Sequence, residues 1–584
     1  MRRARGHLAA ILILVASLLG AAGCVNVPNS GTIEKVEGQQ QGCQNCVNVE
    51  VAPPAPGDEP RQIVEGYLRA TSNYQPNYSV ARQFLTRMAA EKWSPEGGVL
   101  IYRGSPKAEG PNTVLLDGWL VGSLGTDRTY KAEDRKLTID FVLAKENGEW
   151  RINTLPPGLL VAEYSFTSLY QPYDLYFVGN GTSLVPDPIY LPALNNPANI
   201  ASALMKALLN GPSKWLKPAV STAIPPNTTL SVDSVTITDG IADVQLSDSV
   251  LALPDPQRSL LAAQIAYTLK QAGGVKGVAI KVNQQPYRVP GSDPNNPVVS
   301  VESIPRDIDP IPFVAGEQLY AVASGVVKQV STTNDSRTVN PVAGPIGHGK
   351  YPVNALAVSV TNTDLAATTN NRTTLIRAPI ATGKASALLS GKTELLRPQF
   401  TRYGEIWDIG REGGRQRMWM FTADNKRVID SPMFQNVTAF KISPDGTRIA
   451  LVRTTKAGSS ELGLARIIRS EKIIMVDGWR SVNTTQTSAP PIRRIADVAW
   501  LDATELLVLG SADATTAYAP FRVVEDASQI TPKGESENWN AVELAVLPRT
   551  QAAIVVGHDG RTWKDDGNQW QPFIDKISTV AYPG

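Results

Sequence analysis

The C-terminal half of this 584-residue chain repeats one phrase, and the repetition limits its fold more than any other feature. The clearest copy runs from Ala439 to Ala450. Phe440 and Ile442 alternate as in a strand, Ser443, Pro444, Asp445 and Gly446 have the composition of a β-turn, and Ile449 resumes a second strand. The phrase returns at Ala355 to Ser359 leading to Leu365, and at Val498 to Asp502 leading to Leu506, with weaker copies at Phe400, Leu544 and Val580. Spacings of about 36 to 58 residues bracket the roughly 40 to 50 of a four-stranded propeller blade. Six recurrences predict an all-β propeller of about six blades over 313–584. Strands near Leu319 to Val322 and Val326 to Val330 precede the first copy and are expected to complete the last blade and seal the ring.

Two α+β domains precede the propeller. In the first, 58–165, Asp58 as N-cap and Pro60 introduce a helix carrying Ile63, Val64, Tyr67 and Leu68 on its apolar face, and Ser79 introduces another with Phe84, Leu85 and Met88. Leu137, Ile139, Phe141 and Leu143 then alternate, Asn147-Gly148 supplies a type I′ turn, and Trp150 and Ile152 resume the alternation. Helices followed by a meander ending in that phrase resemble NTF2-like cone domains. In the second, 172–290, Asn196-Pro197 start a helix that Asn210-Gly211-Pro212 stop. A hairpin turning at Asp239-Gly240 follows, then a helix opened by Asp255-Pro256 and a strand from Val278 to Val282, a βαββαβ plan. Four phrases, around Leu208 to Pro212, Ala223 to Asn227, Ala242 to Ser247 and Tyr267 to Leu269, make this unit similar to the GerMN domain of spore-germination and envelope proteins. Family members often follow the last strand with an Asp-Gly turn, where this chain has Asn283 and Gln284. A Pro- and Asn-rich linker, 291–312, leads to the propeller.

The N-terminus addresses the chain. Arg2, Arg3 and Arg5 precede an uncharged apolar run from Leu8 to Ala22, shorter than the roughly 20 residues that span a bilayer, so 1–23 reads as a cleaved signal peptide. Ala21, Ala22 and Gly23 ahead of Cys24 resemble a lipobox, which implies an S-diacylglycerol and an N-acyl group on Cys24. Residues 24–57, rich in Asn, Gln, Gly and Pro, read as a tether. Losing the three leader arginines from 56 basic residues leaves 53 against 54 acidic ones, so nucleic acid is not an expected partner. Cys43 and Cys46 form an even pair outside the cytosol and are expected to be a local disulfide, since no strand-to-helix context supports a thiol oxidoreductase.

Beyond Cys24, little in the chain carries covalent chemistry. The mature part has two histidines, His348 and His558, too few for a multi-histidine metal site, and no cofactor is implied. Gly344 to Lys350 has the spacing of a phosphate loop, but Tyr351 replaces the hydroxyl and Pro352 denies it a helix. Asp307 with Asp309, and Asp565 with Asp566, read as solvated turns. Of the propeller tryptophans, Trp407, Trp419, Trp479, Trp500, Trp539, Trp563 and Trp570, each is either blade packing or a contact anchor. Arg411, Arg415, Arg417 and Trp419 are the candidate partner-binding group, with a solvated basic loop as the alternative.

The order of parts resembles the LpqB family of actinobacterial lipoproteins along essentially the whole chain. That resemblance implies a non-enzymatic accessory on the outer face of the cell membrane, binding the extracytoplasmic domain of an MtrB-type sensor histidine kinase in envelope homeostasis. Two other readings stay open: an envelope glycan-binding or glycan-processing protein acting through its propeller, and a structural assembly factor built on GerMN packing.

Overall fold

A computed structural model describes residues 51–584 apart from 195, 296, 334–335, 471–472, 487–490, 535–538 and 568. The signal peptide, Cys24, Cys43 and Cys46 lie outside the described residues. Three packed parts follow one another: two α+β units and a propeller.

The first unit begins with helix α1 (Pro60–Ser72). Gln62 closes its N-terminus by accepting the Glu59 N–H at 2.8 Å, which makes Glu59 the cap. Asp58, expected there, instead accepts the Ala55 N–H at 2.8 Å, one turn upstream. Helices α2 (Ser79–Gln83) and α3 (Arg87–Lys92) follow, and Met88, expected in the core, is exposed on α3. The sheet comprises β1 (Val99–Ala108), β2 (Thr113–Leu124), β3 (Tyr130–Glu146), β4 (Glu149–Thr154) and β5 (Leu159–Ala162), in the order β4-β3-β2-β1-β5. Asn147 (φ 55) and Gly148 (φ 87) both take the left-handed region, the type I′ geometry whose twist suits a two-residue hairpin. Tyr67, Trp93 and Phe141 meet edge to face in the core. Helix α4 (Glu163–Leu169) leads out.

The second unit opens on a hairpin, β6 (Tyr170–Val178) with β7 (Leu184–Pro192), where the sequence predicts one strand. Both strands carry apolar residues on most positions, so periodicity gives no break between them. Helix α5 (Pro197–Leu209) is capped by the Asn196 side chain, and helix α6 (Asp255–Leu269) is buried from Leu260 to Leu269. The sheet holds β8 (Thr236–Thr238), β9 (Ile241–Leu246), β10 (Gly277–Val282), β11 (Gln285–Pro286) and β12 (Val298–Val299), with β9 and β10 parallel across α6. Asn283 (φ 52) and Gln284 (φ 63) make the β10–β11 turn in left-handed backbone without a glycine.

The described residues of the C-terminal part form six four-stranded sheets. Blades 1 to 5 run in chain order from inner strands Val353–Val358, Gln399–Phe400, Val437–Ile442, Arg494–Trp500 and Ala541–Leu547. Blade 6 takes its inner strand, Thr579–Ala581, from the far end of the chain. It pairs with Leu319–Ala323, which continues to Val326–Thr333 and Ser336–Pro341. The repeat legible at Val580 is thus the inner strand that closes the ring.

Candidate functional site

The ring has three places where function can sit: its axis, the end facing the α+β units, and the opposite end. Charged side chains fill the axis. Arg397 donates to Asp497 at 2.5 Å, lies 3.1 Å from Glu543 and donates to the Leu544 carbonyl at 2.8 Å. Asp497 also accepts the Leu544 N–H at 2.8 Å, and Glu543 accepts the Thr579 hydroxyl at 2.5 Å, so the network spans inner strands of blades 4, 5 and 6. Burial pushes the Glu543 carboxyl up, against the pull of Arg397. Lys441 of blade 3 reaches the Gly584 carbonyl at 3.4 Å, and burial, then Arg397, lowers its ammonium to about 7. The cavity that remains holds about 20 Å³, the scale of one water and far below that of a sugar ring or nucleotide.

The turns after the first and third strands of each blade lie at one end of the ring, and the second unit and linker press on that end. Tyr403 in blade 2 donates to the Asn180 carbonyl at 3.0 Å and shares a hydrogen bond with Ser183 at 3.2 Å. Arg402 donates to the carbonyls of Asp307 and Asp309, and Arg549 of blade 5 pairs with the Asp309 carboxylate at 2.9 Å. Trp215 lies under Arg480 at 4.2 Å and donates its indole N–H to the Gly478 carbonyl of blade 3 at 2.7 Å. Tyr190 packs on Tyr130 and Phe166 of the first unit and donates to Ser528 of blade 4, joining all three parts. Asp307 and Asp309, expected as solvated turns, thus belong to the seam: Asp307 accepts Thr182 at 2.9 Å and Asp309 accepts Tyr267 at 2.9 Å.

Behind this seam sits a charge cluster that sequence reading missed. Arg448, wholly buried, donates to Asp445 at 2.6 Å, to Glu525 at 2.5 Å and to the Ala503 carbonyl at 2.8 Å, and Arg480 approaches Glu525 at 3.3 Å. The turn at Ser443 to Gly446 was legible, but Glu525 lies 77 residues away, and no local signal joins the two. The one available clue was an arginine inside the apolar phrase around Ile449.

Asp174 of β6 faces the same cluster. Burial, then the charges of Asp502 and Glu525, raise its carboxyl to about 7, with Asp187 adding to the rise and Arg448 opposing it. An acid whose value is raised in the packed state holds its proton there. The penalty for ionising it is absent below the ordinary value near 3.8, grows as pH rises toward 7, and is complete above that. Asp174→Asn is therefore expected to melt higher than the parent chain at pH 8 and alike at pH 4, as read by differential scanning calorimetry. Equal melting at both values would contradict the assignment.

The opposite end carries the turns after second and fourth strands, and the candidate group lies there only in part. Arg411 and Arg415 flank the Gly413-Gly414 turn of blade 2. Arg415 is exposed, while Arg411 pairs with Glu394 at 2.7 Å. Arg417 is held by Glu412 at 3.0 Å and Asp430 at 3.4 Å. Trp419 must be removed from the group: it is 1% exposed and packs with Leu375, Leu389 and Phe400 between blades 1 and 2. Alternation along the strand puts it on the face of Arg415 and Arg417, but four residues further from the turn. Trp407, Trp500 and Trp539 are likewise buried, and Trp539 stacks on Trp563 at 5.4 Å. His348 and the loop from Gly344 to Lys350 also lie at this end, with a single helical turn, Pro345–Gly347, in place of a phosphate-binding helix. Asp565 is tied to Lys533 at 2.6 Å. Among the described residues no group of three or more His, Cys, Asp or Glu is placed to hold a metal ion.

Comparison with known families places each part. Residues 53–167 match the model described as Lipoprotein LpqB, N-terminal domain; 174–288 match Sporulation and spore germination; and 327–583 match Lipoprotein LpqB beta-propeller domain. The chain belongs to the LpqB family. Its resemblance extends beyond single domains: Lipoprotein LpqB of Cutibacterium acnes is 26% identical over 97% of this chain and 98% of its own length. Lipoprotein LpqB of Thermobifida fusca is 25% identical, covering 96% and 97%, and that of Streptomyces coelicolor 26%, covering 96% of each. The LpqB relatives carry the name of lipoproteins, not of enzymes.

Proposed function

We propose that this LpqB-family chain is a non-enzymatic accessory, held on the outer face of the cell membrane by lipid on Cys24, whose propeller docks on the extracytoplasmic domain of a sensor histidine kinase. One observation carries the docking part: the axis is closed to ligands by Arg397, Asp497, Glu543 and Lys441, and one end of the ring is occupied by the second unit. What the ring offers a macromolecule is the other end, where Arg415 projects beside the paired Arg411 and Glu394. The kinase itself follows from the family resemblance. A partner fixed in the same membrane meets the anchored domains at high effective concentration, so a modest intrinsic affinity suffices. Cys43 and Cys46 are proposed to pair with each other.

The test is direct binding of the mature chain to the purified kinase domain. Saturable binding is expected, and Arg415→Glu should slow association several-fold at low salt and less at high salt, the mark of a rim charge. Absence of binding at high micromolar concentration, with the chain still folded, would overturn the regulatory reading and favour an envelope glycan as ligand.

A further inference from the structure

Between blades 5 and 6, where the linker enters the ring, the surface opens into a groove of about 500 Å³, within the range of small-molecule sites. It lies toward the end of the ring that faces the second unit, away from Arg415, so what it binds is independent of the docking proposed above.

The lining offers more acceptors than free donors, the donors being the Lys564 ammonium and the hydroxyls of Ser331 and Tyr582. Gln318 donates its amide to the carbonyls of Leu319 at 3.0 Å and Val330 at 2.5 Å, and its oxygen accepts the Gln329 amide at 2.7 Å. Both amides are thereby oriented, and Gln329 is left with its oxygen as the available function. Asn362, at the groove wall, is engaged by its side chain with the Tyr320 hydroxyl, and its side-chain oxygen is buried and accepts no hydrogen bond. The exposed Glu317 carboxylate and the Ser331 hydroxyl add further acceptors on the rim. A ligand that satisfies this wall must bring several O–H or N–H donors, because a buried acceptor without a donor is unfavourable. The apolar part of the lining is Leu319, Val330 and the ring of Phe573, over which the Arg337 guanidinium lies at 4.9 Å and the Lys564 ammonium at 5.7 Å. Glu317 and Lys564 bring opposite charges to the rim, so the ligand need carry none.

Several donors around a body with an apolar face, without net charge, describe a sugar ring. We propose that this groove binds a neutral saccharide, with Asn362 and Gln329 accepting its hydroxyl or amide protons and the apolar part of the lining lying against its C–H face.

The experiment uses the full chain in micelles of a detergent without a sugar headgroup, titrated separately with N,N′-diacetylchitobiose and maltose. Binding is followed by calorimetry and saturation-transfer NMR. At least one of the two is expected to bind saturably, with magnetisation passing to its ring protons. Asn362→Gly keeps the left-handed backbone that Asn362 already adopts (φ 57) and removes the amide; it should weaken binding by about tenfold, the scale of one hydrogen bond. Glu317→Gln alters an exposed side chain and leaves the fold intact, so weakening in this variant also supports the site. The proposal is overturned if neither sugar saturates up to about 10 mM, a limit weaker than a millimolar site requires, or if both variants bind as the parent does.

Discussion

Arg448→Met is expected to lower the stability of the propeller by about 3–5 kcal/mol, the usual loss when one partner of a buried ion pair is removed. The guanidinium is fully buried, and its three acceptors, Asp445, Glu525 and the Ala503 carbonyl, are placed by turns of blades 3 and 4. Methionine fills much of the volume, so what is lost is the positive charge among carboxylates that cannot reach water. Burial already pushes Glu525 up in spite of Arg448 and Arg480, and without Arg448 it rises further. A raised acid destabilises the fold most above its own value and least at low pH. The deficit should therefore be large at pH 8 and smaller at pH 5, when followed by urea denaturation with tryptophan fluorescence. Arg480→Met, at a partly exposed side chain, should cost about 1 kcal/mol or less. A deficit in Arg448→Met that does not shrink on acidification would contradict the electrostatic account, and no deficit at all would refute the burial itself.

Cys24→Ala is expected to move most of the protein from the membrane to the soluble or culture fraction and to abolish incorporation of a labelled fatty acid. Each buried methylene contributes about 0.8 kcal/mol, so two or three acyl chains suffice for stable anchoring where one gives reversible binding. Among the described residues no helix is long and apolar enough to cross a membrane. Retention of both the label and the membrane association in the variant would sink the anchor.

The sequence revealed features whose determinants are local. Asn147-Gly148 and Asp239-Gly240 specify their hairpins because left-handed backbone at two successive positions favours those residues, and both pairs adopt it. The blade phrase was readable because an alternating inner strand and a second strand buried on both faces are joined by a polar turn, as Val437–Ile442 and Arg448–Thr454 are. What was illegible depends on partners distant in the chain. Trp419 looked like a companion of Arg415 and Arg417 because they share a strand face, yet distance along that strand separates solvent from the blade 1–2 packing. Asp309 looked like a solvated turn until Tyr267 and Arg549 were found on it. Asn283-Gln284 turns in left-handed backbone with neither residue a glycine, so composition hid it. The seam around Trp215 and Tyr403 joins residues 263 and 223 positions apart, and the Arg448 cluster reaches 77 positions to Glu525, so neither leaves a periodic trace.

The pairing of Thr579–Ala581 with Leu319–Ala323 also imposes an order in time. Blade 6 has its three outer strands from the start of the propeller, but its inner strand is the last of the ring's described strands in chain order. Until that strand arrives, the apolar edges of blades 1 and 5 have no neighbour to close against, and the axial network lacks Thr579. Contacts of such sequence separation are slow to form, because a long loop must close before any of them is gained. The two α+β units close over much shorter separations and are complete earlier. A ribosome stalled, or a protease cutting, just before Thr579 would therefore leave those units whole and the ring open along a single edge.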